Sequence, residues 1–72
     1  MVYVVVQPPA GWEWERAWVV YESAVEAQEG DHEGSSADSA AAEMYCTIDA
    51  DRCGAFADDL RSLGFWVAYD IG

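Results

Sequence analysis

The chain opens on a run of apolar positions with no interruption. Val2-Tyr3-Val4-Val5-Val6-Gln7 is β-branched and aromatic on both alternating sides, which predicts a buried strand. Pro8-Pro9-Ala10-Gly11 ends it, because proline cannot donate to a ladder and glycine breaks the pattern. No charged side chain occurs before Glu13.

Residues 12–29 support two readings. As a helix, Trp14, Ala17, Trp18, Tyr21, Ala24 and Val25 fall on one face, and Glu15, Glu22, Glu26 and Glu29 fall mostly opposite, with Gly30 at the stop position. As a strand, Trp18-Val19-Val20-Tyr21 has β chemistry and Tyr21 to Gln28 alternates. Val19 and Val20 interrupt the polar face of the helix and tip the expectation to a strand over 16–23.

Residues 29–39 read as a mobile polar loop rich in Gly and Ser, and Ala40-Ala41-Ala42 as the opening of a short helical turn. Glu43-Met44-Tyr45-Cys46-Thr47-Ile48 predicts a strand with Met44, Cys46 and Ile48 on one side. Asp49 or Asp51 then stands where a helix is capped. Cys53, Phe56, Ala57, Leu60 and Leu63 form one apolar stripe, against Asp51, Arg52, Asp58, Asp59 and Arg61. Gly64 suits the left-handed end of that helix, with Phe65 folding back onto Leu60. Gly54 inside it costs about 1 kcal/mol against Ala, which close packing would explain. Phe65 to Ile71 alternates as a last strand, with Trp66 and Ala68 facing away from Phe65 and Val67.

The expected fold is therefore α+β in a single domain over 1–72. It has a mostly antiparallel sheet of three or four strands, with one main helix over 50–63 packed on one face.

Charge changes the picture. The 72 residues include 14 acids and 3 bases, all arginine, for a formal charge of −11, yet 53% of the chain is hydrophobic. The apolar content is that of a folded domain rather than a disordered acidic tail. Lysine is absent, so direct nucleic-acid binding and attachment to an anionic membrane are excluded as functions. No apolar run approaches a membrane span, and the start lacks the basic region of a signal peptide. A cytoplasmic location, with Cys46 and Cys53 as reduced thiols, is the expectation.

Catalytic chemistry finds no constellation. His32 lies in the polar stretch between Asp31 and Glu33 and reads as a solvated loop histidine. Cys46 and Cys53 belong to apolar faces and read as buried structural thiols. Asp49-Ala50-Asp51-Arg52-Cys53-Gly54 resembles the start of a calcium loop, but Cys53 and Leu60 stand where ligands belong, which removes that reading. No catalytic residue, metal site or cofactor is expected. Of Trp12, Trp14, Trp18 and Trp66, two or three are expected in the core, with Trp12 or Trp14 exposed among Glu13 and Glu15.

The acids themselves are then the leading feature. A chain of this length folds to a radius of gyration near ~11 Å and a diameter of roughly 29 Å. Duplex DNA of that length carries about 17 charges. Carboxylates two apart on a strand, or four apart on a helix, are spaced by roughly 6–7 Å, close to neighbouring phosphates. The candidate partner-binding residues are Glu22, Glu26, Glu29, Asp31, Glu33 and Asp38, with Asp58 and Asp59 as a second patch.

Small size, strong acidity, an aromatic α+β core and the lack of lysine together resemble phage-encoded DNA-mimic inhibitors. The composition is similar to that of small anti-CRISPR proteins of mobile elements, including those against type I-C systems. The resemblance covers the whole chain but rests on composition, and it transfers no residue by position. It implies a monomeric inhibitor in the host bacterial cytoplasm that binds the Lys/Arg-rich DNA-entry surface of a Cascade-like complex. Alternatives are a DNA mimic directed at a restriction nuclease or a uracil-DNA glycosylase, an acidic protein-interaction adaptor, or a weak metal-binding module.

Overall fold

A computed structural model describes residues 1–36 and 42–70. The elements in chain order are β1 (Val2–Gln7), α1 (Trp14–Ala27), β2 (Asp31–Ser36), β3 (Glu43–Ile48), α2 (Cys53–Arg61) and β4 (Trp66–Tyr69). The strands form one antiparallel sheet in the order β2-β3-β1-β4. Two crossover helices and this strand order make the split β-α-β arrangement of ferredoxin-like topology. The expected α+β class is thus what the chain adopts, and among the described residues there are four strands and two helices rather than one main helix. The expected turn at 40–42 falls largely outside the described residues, as do Asp38 and Ile71.

The sheet is asymmetric. Val2, Val4 and Val6 of β1, Met44, Cys46 and Ile48 of β3, and Val67 of β4 are buried on one side. They meet Ala17, Tyr21 and Val25 of α1 and Cys53, Phe56, Ala57 and Leu60 of α2 in a single core. The alternate residues of the same strands face outward, so only one side of the sheet is covered by helices.

The expected strand over 16–23 is a helix. A period of two would have buried either Glu22 or Val19 with its neighbours, and neither set matches the core. The period of α1 places Ala17, Tyr21 and Val25 inward and lets Val20 and Ala24 widen the buried stripe. Val19 alone is left out, 62% exposed. A β-branched residue in a helix costs only a few tenths of a kcal/mol, so packing overrides the local preference.

The expected loop over 29–39 contains a strand instead. β2 pairs along the free edge of β3, from Asp31 opposite Thr47 to Ser36 opposite Glu43, with a bulge between His32 and Gly34. Its residues are polar because an edge strand over solvent buries little.

Both helices end in Schellman motifs. The Phe65 N–H donates to the Leu60 carbonyl (3.1 Å) and the Gly64 N–H to Arg61 (3.0 Å), with Gly64 at φ +97°. At α1 the Gly30 N–H donates to Val25 (2.9 Å) and the Glu29 N–H to Glu26 (3.0 Å), and the left-handed residue is Glu29, at φ +55°. The start of α2 departs from expectation. Neither Asp49 nor Asp51 caps it through a side chain; the Asp49 backbone carbonyl accepts from Arg52 (2.8 Å) and Cys53 (3.1 Å). The helix ends at Arg61, and Leu63 is exposed rather than in the stripe. Nothing lies within 4 Å of a Cβ built at Gly54, so close packing does not account for that glycine. No helix among the described residues is long and apolar enough to cross a membrane.

Candidate functional site: an acidic rim around Tyr21

The edge where α1 meets β2 gathers several of the expected acids. Tyr21, Glu22, Val25 and Glu26 of α1 and Gly30, Asp31 and His32 of the turn and β2 line one concavity of about 290 Å³. Glu22 and Glu26 stand one turn apart and exposed on α1, and Asp31 faces them from the start of β2. Glu33, at the bulge, is near enough for its charge to act on Tyr21 and Cys46. The fold therefore brings Glu22, Glu26 and Asp31 around one hollow and sets Glu33 beside it.

The other expected residues sit differently. Glu29 occupies the left-handed turn after α1, and its carboxylate pairs with Arg52 at 3.1 Å. Asp58 and Asp59 are exposed on α2, on a different helix from the rim. Asp38 lies outside the described residues. Among the described residues, Glu22, Glu26, Asp31, Glu33, Asp58 and Asp59 have no cationic side chain within 4.0 Å.

All three arginines are occupied. The Arg16 guanidinium lies over the Trp12 ring at 4.1 Å, Arg52 pairs with Glu29, and Arg61 donates to the Val67 carbonyl at 2.7 Å. The chain keeps its few cations for its own turns and rings and leaves the acidic rim uncompensated.

Hydrogen bonds and ring contacts tie the wall of the hollow together. Tyr21 is fully buried and its hydroxyl donates to the Tyr45 carbonyl at 3.1 Å. The same oxygen lies 3.1 Å from His32 Nδ1. A phenol has one proton to give, so His32 Nδ1 carries the hydrogen of that second bond. The His32 ring also meets Trp18 edge-on at 4.7 Å. His32 is therefore not the free loop histidine its neighbours in sequence suggested; β2 anchors it against α1. Burial, then the neighbouring Cys46 and the acids Glu22 and Glu33, push the Tyr21 phenol well above its ordinary range. Burial pushes the Cys46 thiol up to about 11. Burial, then Asp49 and Asp51, also raises Cys53, whose thiol donates to the Ile48 carbonyl at 3.7 Å. Both thiols are protonated and free, as buried structural cysteines are.

Among the tryptophans, the exposed one is Trp66, at 52%, on the outward side of β4. Trp12 and Trp14 are half-buried: Trp12 meets Phe65 edge-on at 5.2 Å, and Trp14 lies 6.0 Å from Trp18. The signal for Trp66 was its alternation with Phe65 and Val67; exposure on the open face follows once the helices take the other side. Among the described residues, no group of three His, Cys, Asp or Glu side chains is placed to hold a metal ion.

No protein-family model, no curated protein and no solved structure matches this chain.

Proposed function

We propose that this protein is a non-enzymatic inhibitor that offers carboxylates in place of phosphates to the Lys/Arg-lined channel of a nucleic-acid-binding protein complex. The observation that carries the reading is the rim of Glu22, Glu26 and Asp31, uncompensated while every arginine is engaged elsewhere. Unscreened acids on so small a body repel one another, and a basic surface removes that cost. Scale agrees as well. The long axis is 31 Å, a length over which duplex DNA bears about 18 charges, against 11 net on this chain.

Within this class, the resemblance in composition favours a Cascade-like effector as the target, with target-DNA entry as the step blocked. The test is a binding titration of the purified protein against such a complex, with duplex DNA as competitor. Competition with DNA, and affinity that falls steeply as salt rises from about 50 to 500 mM, are the expected results. Salt-independent affinity, or simultaneous binding of protein and DNA, overturns the reading. The same competition run against a restriction nuclease and a uracil-DNA glycosylase separates targets that share the mechanism.

A further inference from the structure

The outer face of the sheet is chemically unlike the rest of the surface. β1 is apolar on both sides, the pattern of a strand covered twice. Yet only its Val2, Val4 and Val6 side lies under the helices. The other side shows Tyr3 and Val5, with Tyr45 alongside on β3 and Trp66 and Ala68 on β4. Tyr3 is 56% exposed and Trp66 52%. The Tyr3 and Tyr45 rings lie nearly parallel, 13° between planes, with centroids 6.0 Å apart.

One charge is built into this platform. Gln7 Nε2 donates to Glu43 Oε2 at 2.9 Å, and the Tyr45 hydroxyl donates to Glu43 Oε1 at 2.8 Å. Those two hydrogen bonds hold the Glu43 carboxyl below its usual range. The group is ionised and fixed in orientation, and each oxygen keeps a lone pair for a further donor.

We propose that this face docks a segment of a protein partner through an arginine, whose guanidinium extends the Tyr3–Tyr45 stack and forks onto Glu43. A planar cation with parallel donors satisfies rings and carboxylate together, which a lysine ammonium does not. The chain holds its own instance of the contact in Arg16 over Trp12. Charge selects among occupants. None of the four strands bears a Lys or Arg, so a second copy packed on the same face would set Glu43 against its own like charge, between molecules of −11 each. Nucleic-acid bases could stack on the rings, but their phosphates would meet the same repulsion. The proposal is independent of the phosphate-mimic reading, since Glu22 and Glu26 lie on α1, over the opposite side of the sheet.

Heteronuclear NMR on the intact protein tests it, with acetyl-Gly-Arg-Gly-amide and its lysine counterpart as probes. The Trp66 indole N–H and the amides of Tyr3, Val5, Glu43 and Tyr45 are expected to shift with the arginine peptide and much less with the lysine one. Glu43→Gln and Tyr3→Ala are each expected to weaken the arginine peptide by about tenfold, and a Glu22→Gln/Glu26→Gln pair to leave it unchanged. Tyr3→Ala removes an exposed ring of the contact itself, so it keeps the test valid should Glu43→Gln loosen the sheet. Equal response to both peptides, or shifts confined to α1 and β2, overturns the proposal. So do concentration-dependent shifts of the same face without peptide, which would mark a second copy, and shifts of that face with oligothymidylate.

Discussion

The hydroxyl of Tyr21, fully buried on α1, and Nδ1 of His32, on the edge strand β2, lie 3.1 Å apart. With the Tyr45 carbonyl as the other partner, the phenol joins α1 to two strands at once. Tyr21→Phe keeps the ring packing and removes both bonds. It is expected to cost about 1–3 kcal/mol, because a buried carbonyl and the imidazole N–H lose their partner. Urea unfolding measures the loss. Exchange of the β2 amides should rise more than that of β1, since β2 depends on this tether.

Alkaline pH should destabilise the fold. Tyr21 and Cys46 both have folded values raised above the ordinary ones of 10.0 and 9.0, Cys46 to about 11. Above pH ~9 the unfolded chain releases protons that the native state keeps, so ΔG of unfolding falls by about 1.4 kcal/mol per pH unit for each group. The Cys46 contribution runs from about pH 9 to 11, and that of Tyr21 begins near pH 10. Denaturant midpoints measured across this range check the slope, and Cys46→Ala should flatten its first part.

Three glycine-related positions give stability changes of opposite sign. Glu29 holds a left-handed backbone that costs a non-glycine residue about 1–2 kcal/mol, against an exposed ion pair to Arg52 worth about 0–1 kcal/mol. Glu29→Gly should therefore stabilise by about 0.5–1 kcal/mol. Gly54→Ala, with open space around the new methyl, should add about 1 kcal/mol. Gly30→Ala should do the reverse, by about 1–3 kcal/mol, because its Cβ would press on the Ile48 side chain and the Thr47 carbonyl. Thermal melts of the three variants at one pH settle the signs.

The uncompensated charge should make stability rise with salt. Raising NaCl from about 20 to 500 mM is expected to increase the melting temperature, since screening relieves repulsion among the exposed acids. Neutralising the rim with Glu22→Gln, Glu26→Gln and Asp31→Asn should also raise it while weakening partner binding by about tenfold or more. Asp58→Asn/Asp59→Asn should stabilise to a similar degree but affect binding less, if the rim is the surface engaged. Equal losses from both sets would assign the two patches to one interface.

The sequence carried β1, β3, α2 and β4 plainly, because each has a buried side with a clean period. It carried α1 ambiguously: Val19 and Val20 have strand chemistry, and only the core formed with α2 and β3 decides for the helix. β2 had no signal at all. Asp31 to Ser36 is polar, and it becomes a strand because the crossover delivers it to the open edge of β3. That missing strand also hid the site. Glu22 and Glu26 were legible as a spaced pair on a helix, but their meeting with Asp31, and the anchoring of His32 on Tyr21 and Trp18, depend on β2. The open aromatic face was legible only in halves: the alternation set Trp66 apart from Phe65 and Val67, while Tyr3 lay in a run that looked buried on both sides.

The two ends of the sheet have a consequence for behaviour at high concentration. An open strand edge is a template on which another chain can add, and such edges are where sheets begin to grow into aggregates. Here one edge carries the bulge between His32 and Gly34, with Asp31 and Glu33 exposed along it. The other is β4, four residues long, where the Arg61 side chain already occupies the Val67 carbonyl. Neither edge offers a straight, uncharged ladder. A chain that leaves an aromatic sheet face open to solvent thereby guards the direction in which that sheet could otherwise extend.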